Sequence, residues 1–134
     1  MAERPLSPHL QIYRPMLTML MSIAHRLTGM ALYLGALLVA GWLAATASGP
    51  QSYALYQAVA GSIIGKIILI GFTWALLHHM LGGIRHLIWD TGLGFELPQV
   101  EWMARLTLGL SVLGTALVWI LVWMCACAGG RGWS

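Results

Sequence analysis

The chain has 134 residues, of which 59% are apolar and only 8% charged, with a formal net charge of +3. Soluble domains carry about 25% charged residues, so there are too few charges here to cover a water-facing surface, and a soluble globular protein is excluded. The seven basic residues, Arg4, Arg14, Arg26, Lys66, Arg85, Arg105 and Arg131, are scattered rather than gathered into a stripe, which excludes a nucleic-acid partner.

The expectation is an all-α membrane protein, a single transmembrane anchor domain over residues 1–134 with the lipid bilayer as its solvent. Residues 1–16 come first. Three prolines between Arg4 and Pro15 predict an extended arm. The first helix is expected over about 17–47, its start at Leu17 or at Leu27 depending on how much of the Arg26 region enters the membrane. Ser48-Gly49-Pro50 ends it with strong turn chemistry. Ala45-Thr46-Ala47 resembles a signal-peptidase site, but the apolar run from Leu27 to Ala47 exceeds the roughly 7–15 residues of a signal core. The segment is read as a retained helix.

The second helix is expected over about 63–88, interrupted by His78, His79, Arg85 and His86. The third, about 106–128, carries no charge and closes at Gly129-Gly130. Each has the length of about 20 residues that a bilayer requires. Cys125 and Cys127 fall on nearly opposite helical faces, so neither a disulfide nor a metal site is read from them. Trp42, Trp89, Trp102 and Trp123 lie near helix ends, where aromatic belts form. Basic residues favour the cytoplasmic side. An inner N-terminus puts Arg4, Arg14, Arg26, Arg85 and Arg105 inside, so the N-terminus is expected in the cytoplasm and the C-terminus in the periplasm.

Two polar stripes carry the chemistry. Ser22, His25, Arg26 and Gly29 share one face of the first helix, and His79, Gly82, Gly83, His86 and Asp90 share one face of the second. His79 sits about 9 Å deeper than Arg85. It reads either as an axial ligand of a haem iron or as a hydrogen-bond partner of a neighbouring helix. His78 points about 100° away, so both cannot serve one iron from opposite sides. A second ligand would be His25, His86 or a histidine of a partner subunit. Arg26, His25, Arg85 and His86 gather near the inner interface, either as a collar for an anionic ligand such as haem propionates or as snorkelling side chains. Ser22 and Arg26, one turn apart, offer two donors to a quinone carbonyl, or the serine bonds back to its own helix. Asp90 reads as a partner of Arg85 or as a turn cap before Gly92.

Three segments then align in order. They are Arg4-Pro5-Leu6-Ser7-Pro8-His9-Leu10 with Ile12-Tyr13, Ser22-Ile23-Ala24-His25-Arg26-Leu27-Thr28-Gly29, and His79-Met80-Leu81-Gly82-Gly83-Ile84-Arg85-His86-Leu87-Ile88-Trp89-Asp90. Together they resemble the cytochrome b membrane anchor of succinate dehydrogenase (respiratory complex II) over essentially the whole chain. The resemblance implies that His79 is the axial ligand of haem b, with the other axial histidine from a second small membrane anchor subunit. It implies that His25, Arg26 and His86 surround the haem propionates and that Ser22 and Arg26 line a ubiquinone site. It implies iron–sulfur and flavoprotein subunits docked on the inner face, at the Arg4–Tyr13 arm and the Arg85–Arg105 loop. Electrons from succinate would pass through flavin and iron–sulfur centres to quinone, so the chain would be a non-catalytic subunit of the enzyme. With no transit peptide ahead of the arm, a bacterial inner membrane is expected rather than a mitochondrial one. A fumarate reductase anchor and a small transport or structural membrane protein are the other readings, the latter without haem or soluble partners.

Overall fold

The computed structural model describes residues 14–129, so the expected arm over residues 1–16 lies almost wholly outside the described residues. Four helices follow in order: α1 (Leu17–Ala47), α2 (Pro50–Gly61), α3 (Ile63–Asp90) and α4 (Leu97–Ala128). Three of them, α1, α3 and α4, are long and apolar enough to cross a membrane, each exceeding the roughly 20 residues required.

α1 starts at Leu17, behind an extended Met16 that follows Pro15, and so takes in the Arg26 region. It stops at Ser48. Gly49 adopts φ 108°, a conformation open to glycine, and Pro50 occupies the first turn of α2, where its missing N–H costs nothing. The segment read as a turn between two spans is therefore also a helix start. α2 escapes a hydropathy reading because it is only 12 residues long and mixed in composition. The Tyr56 hydroxyl donates to the Leu38 carbonyl at 2.9 Å and ties α2 back onto α1. Ser62 ends α2 and begins α3, its side chain accepting from the Gly65 N–H at 3.1 Å.

α4 begins at Leu97, nine residues ahead of the expected Leu106. The early turns hold Pro98 and the Glu101–Arg105 pair, 3.1 Å apart at i,i+4. These charged residues hide a helix from a search for apolar runs. Between α3 and α4, the Trp89 indole N–H donates to the Gly94 carbonyl at 3.1 Å, closing a turn built on Gly92 and Gly94 at φ 81°.

α3 packs against both α1 and α4. What it buries inverts the rule for soluble proteins. The buried apolar residues are Met21, Ala75 and Ala104, while Thr28, His78, Arg85, Thr107, Ser111 and Thr115 are buried polar residues. Leu20, Leu34, Leu37, Ile63, Leu113 and Trp123 point outward, because lipid accepts them as readily as a core does. The buried hydroxyls of α4 are satisfied within that helix: Thr107 donates to Met103 O (2.8 Å), Ser111 to Leu108 O (2.9 Å) and Thr115 to Ser111 O (2.7 Å). The Trp119 indole then donates to Thr73 Oγ1 at 3.3 Å across the α3–α4 seam.

Close approach of α1 and α3 depends on Gly35, which is buried and has the Phe72 ring directly against its Cα, so that an added Cβ would run into that ring. Gly35→Ala is expected to destabilise the folded chain by about 1–3 kcal/mol through overpacking, and Phe72→Leu in the same chain to recover most of the loss. Thermal unfolding of the detergent-solubilised protein measures both; an unchanged transition for Gly35→Ala would contradict this packing.

Candidate functional site

The N-terminal half of α1 and the C-terminal half of α3 bring three histidines together. The His25 and His79 rings lie face to face, with centroids 4.0 Å apart and planes within 4°. His86 stacks more loosely on His25 at 5.1 Å, and Trp89 meets His86 edge-on at 5.2 Å. The row exists because glycines let the helices approach. At Gly82 an added Cβ would collide with His25 Nδ1, and at Gly29 it would lie 3.0 Å from His79 Cε1. At Gly83 an added Cβ would meet nothing within 4 Å.

Hydrogen bonding assigns the ring nitrogens. His79 Nδ1 lies 3.1 Å from the His25 carbonyl oxygen and 3.4 Å from Thr28 Oγ1. A carbonyl only accepts, so Nδ1 carries the proton and Nε2 keeps a lone pair. His86 Nδ1 lies 2.7 Å from the Gly82 carbonyl oxygen, which gives it the same tautomer. Among the described residues no group of three or more His, Cys, Asp or Glu side chains gathers to hold a metal ion. His79 therefore offers a single imidazole donor, suited to a metal that brings further ligands of its own.

The stacking bears on how the His25 and His79 nitrogens can be used together. The two rings lie face to face, so their nitrogens do not point at one another across a gap. In this arrangement His25 does not oppose His79, which leaves His86 or a donor from outside the chain.

Arg85 lies buried within the chain rather than on its surface. It is 5% exposed, its Nε has no hydrogen-bond partner, and its guanidinium lies 5.0 Å from the Trp89 ring centroid. The expected pairing with Asp90 is not made, since among the described residues the ion pair is Arg105–Glu101. A buried guanidinium resting on an aromatic face gains some cation–π attraction, yet its charge still calls for an anion. His78 turns the other way, fully buried between α3 and α4, with Nδ1 3.4 Å from Ser111 Oγ. Ser22 and Arg26 remain exposed on α1, three residues before and one residue after His25.

A cleft of about 650 Å³ runs along the α1–α3 groove, between Ala24, Thr28 and Gly35 on one wall and Gly71, Phe72 and Ala75 on the other. Its size lies within the roughly 300–1,000 Å³ of small-molecule and cofactor sites. It begins one turn from His79, with Ala75 four residues before that histidine and Thr28 touching both cleft and ring.

Thr28 is the site residue that the sequence stripes missed. Its signal was present: His25, Thr28 and Gly29 are spaced i, i+3, i+4, and Met21, Thr28 and Gly35, the buried residues of α1, recur every seven positions. The charge on Arg26 drew the stripe towards a neighbouring face.

Residues 1–128 match the model of the family described as succinate dehydrogenase/fumarate reductase transmembrane subunit. The chain is 42% identical over 119 residues to the succinate dehydrogenase cytochrome b556 subunit of Paracoccus denitrificans, covering 89% of this chain and 92% of that one. It is 36% identical over 118 residues to the b556 subunit of Rickettsia prowazekii, covering 88% and 92%. The mitochondrial succinate dehydrogenase cytochrome b560 subunit of Sus scrofa is 38% identical over 118 residues, covering 85% of this chain and 69% of its own length.

Proposed function

Because the chain belongs to the succinate dehydrogenase/fumarate reductase transmembrane subunit family, we propose that His79 Nε2 is an axial ligand of haem b, and that Ser22 and Arg26 line a ubiquinone site. Membership makes the chain a multi-pass membrane anchor of the succinate dehydrogenase complex. The observation that carries the haem assignment is the tautomer of His79, whose Nδ1–H is committed to the His25 carbonyl at 3.1 Å and leaves Nε2 as the donor.

The surrounding residues fit the rest of that group. The apolar cleft beside Thr28 and Ala75 suits the flat body of a macrocycle. Arg85, with a buried Nε that lacks a partner, suits its carboxylates, alongside His25, His86 and Arg26. Arg85 thus joins the anion-binding collar as a buried member. When bound, the haem supplies an iron centre that accepts and returns one electron. A histidine of a second small membrane anchor subunit would supply the other ligand, consistent with the His25 ring being stacked on that of His79.

Ser22 and Arg26 present two donors on an exposed stretch of α1. Donors placed there would stabilise negative charge developing on a quinone oxygen. Their exposure in the isolated chain supports a quinone site completed by neighbouring subunits. The N-terminus lies on the cytoplasmic side of a bacterial inner membrane and the C-terminus in the periplasm, the orientation that keeps Arg26, Arg85 and Arg105 on the inner side. Flavoprotein and iron–sulfur subunits dock on that side, and electrons from succinate reach the quinone there without succinate touching this chain.

His79→Ala is expected to remove the b-type haem spectrum while the chain still inserts into the membrane; a normal spectrum would refute the ligand assignment. Arg26→Ala or Ser22→Ala is expected to lower quinone reduction by roughly 10- to 100-fold and to leave succinate oxidation by an artificial dye largely intact. Equal loss in the two assays would count against the quinone-site role.

A further inference from the structure

We propose that Thr28 and Gly29 are positioning residues for His79, forming with the His25 carbonyl a socket that fixes the ring's rotation and holds Nε2 as its metal-facing nitrogen. This deepens the haem assignment above and rests on it.

Thr28 is 3% exposed. Its hydroxyl lies 2.9 Å from each of the Ala24 and His25 carbonyl oxygens, so its proton is committed to α1's own backbone. The hydroxyl oxygen is then an acceptor, and it faces His79 Nδ1 at 3.4 Å. The His25 carbonyl faces the same nitrogen at 3.1 Å. Two acceptors on one ring edge admit one tautomer and one flip state. Turning the ring over would set a carbon against both acceptors and leave the buried ring N–H without them.

Gly29 completes the socket. A methyl group there would stand 3.0 Å from His79 Cε1, the atom between the two ring nitrogens. The missing side chain lets that edge of the ring settle against α1, while the parallel His25 ring covers one face at 4.0 Å. A threonine bonding back to its own helix is ordinary in a membrane segment. This one also reaches an imidazole on another helix, at the nitrogen opposite the metal-facing one. An acceptor at that nitrogen makes the imidazole a stronger donor to iron. Its loss weakens the donor, favours the reduced metal and loosens the haem.

The test uses the complete complex, purified from a host in which the variant replaces the native chain. Haem retained on detergent dilution, the haem midpoint potential and the low-temperature EPR spectrum are measured for Thr28→Val, Thr28→Ser, Gly29→Ala and His79→Ala. Thr28→Val, equal in shape but without the hydroxyl, is expected to lose haem about tenfold more readily and to shift the midpoint to higher potential. Thr28→Ser is expected to restore both towards the native values. Gly29→Ala keeps the hydroxyl but displaces the ring, and is expected to change the EPR g-values. Native retention, potential and spectrum in both Thr28→Val and Gly29→Ala, with haem lost from His79→Ala, would overturn the socket and leave the ligand assignment standing. A haem unaltered in His79→Ala would overturn the assignment itself and the socket with it. Failure of both Thr28 variants to assemble, with an unchanged spectrum in Gly29→Ala, would reduce Thr28 to packing and also overturn the proposal.

Discussion

The hydrogen bond of 3.1 Å from His79 Nδ1 to the carbonyl oxygen of His25 joins α1 to α3 inside two helices long and apolar enough to cross a membrane. Hydrocarbon offers no water to satisfy a polar group, so each buried donor must find its acceptor within the protein. The carbonyl belongs to α1, already faces the Thr28 hydroxyl of its own helix, and also accepts from the neighbouring helix. Helix packing and ligand geometry are therefore one arrangement. Gly29 and Gly82 make it possible, since a side chain at either would push a histidine ring out of the row.

The rest of the bundle follows the same constraint. Small and polar residues fill the helix contacts while the large apolar ones meet lipid. On the α3–α4 side, His78 accepts no part in the row of rings and instead sits against Ser111, whose own proton goes to the Leu108 carbonyl. Thus the two adjacent histidines divide the labour of α3: one face joins the helices, the other presents a donor nitrogen. Among the described residues, His25 Nδ1 and Arg85 Nε are buried without a hydrogen-bond partner, and the Arg85 guanidinium is stacked on Trp89. A buried cation in that position is costly in an isolated chain and becomes favourable beside an anion. Exposed Ser22 and Arg26, an unpaired Arg85 and an open cleft beside His79 all describe a surface that other components complete.

Much of this was legible from residues alone. Long, mostly apolar runs announced α1, α3 and α4, because apolar length is what a bilayer selects. His79 stood out because an ionisable residue in such a run is expensive without a purpose. Other features left no such mark. α2 is short and mixed, and the Pro50 that seemed only to break a helix also starts one. The opening turns of α4 hold Glu101 and Arg105, whose charges pair along the helix but depress its hydropathy. Whether an arginine is buried or exposed depends on the neighbouring helix, so Arg85 and Arg26 were indistinguishable in sequence and lie in opposite environments. Thr28 looked like any threonine until α3 placed an imidazole beside it.

The most direct test of this account is a reduced-minus-oxidised optical spectrum of the complex that purifies with this chain in mild detergent, recorded with succinate as the reductant. A b-type haem band that succinate reduces, in a preparation containing flavoprotein and iron–sulfur subunits, is the result the account predicts. A chain that purifies without those subunits and without a haem band would contradict it, and the row of histidines would then be packing alone.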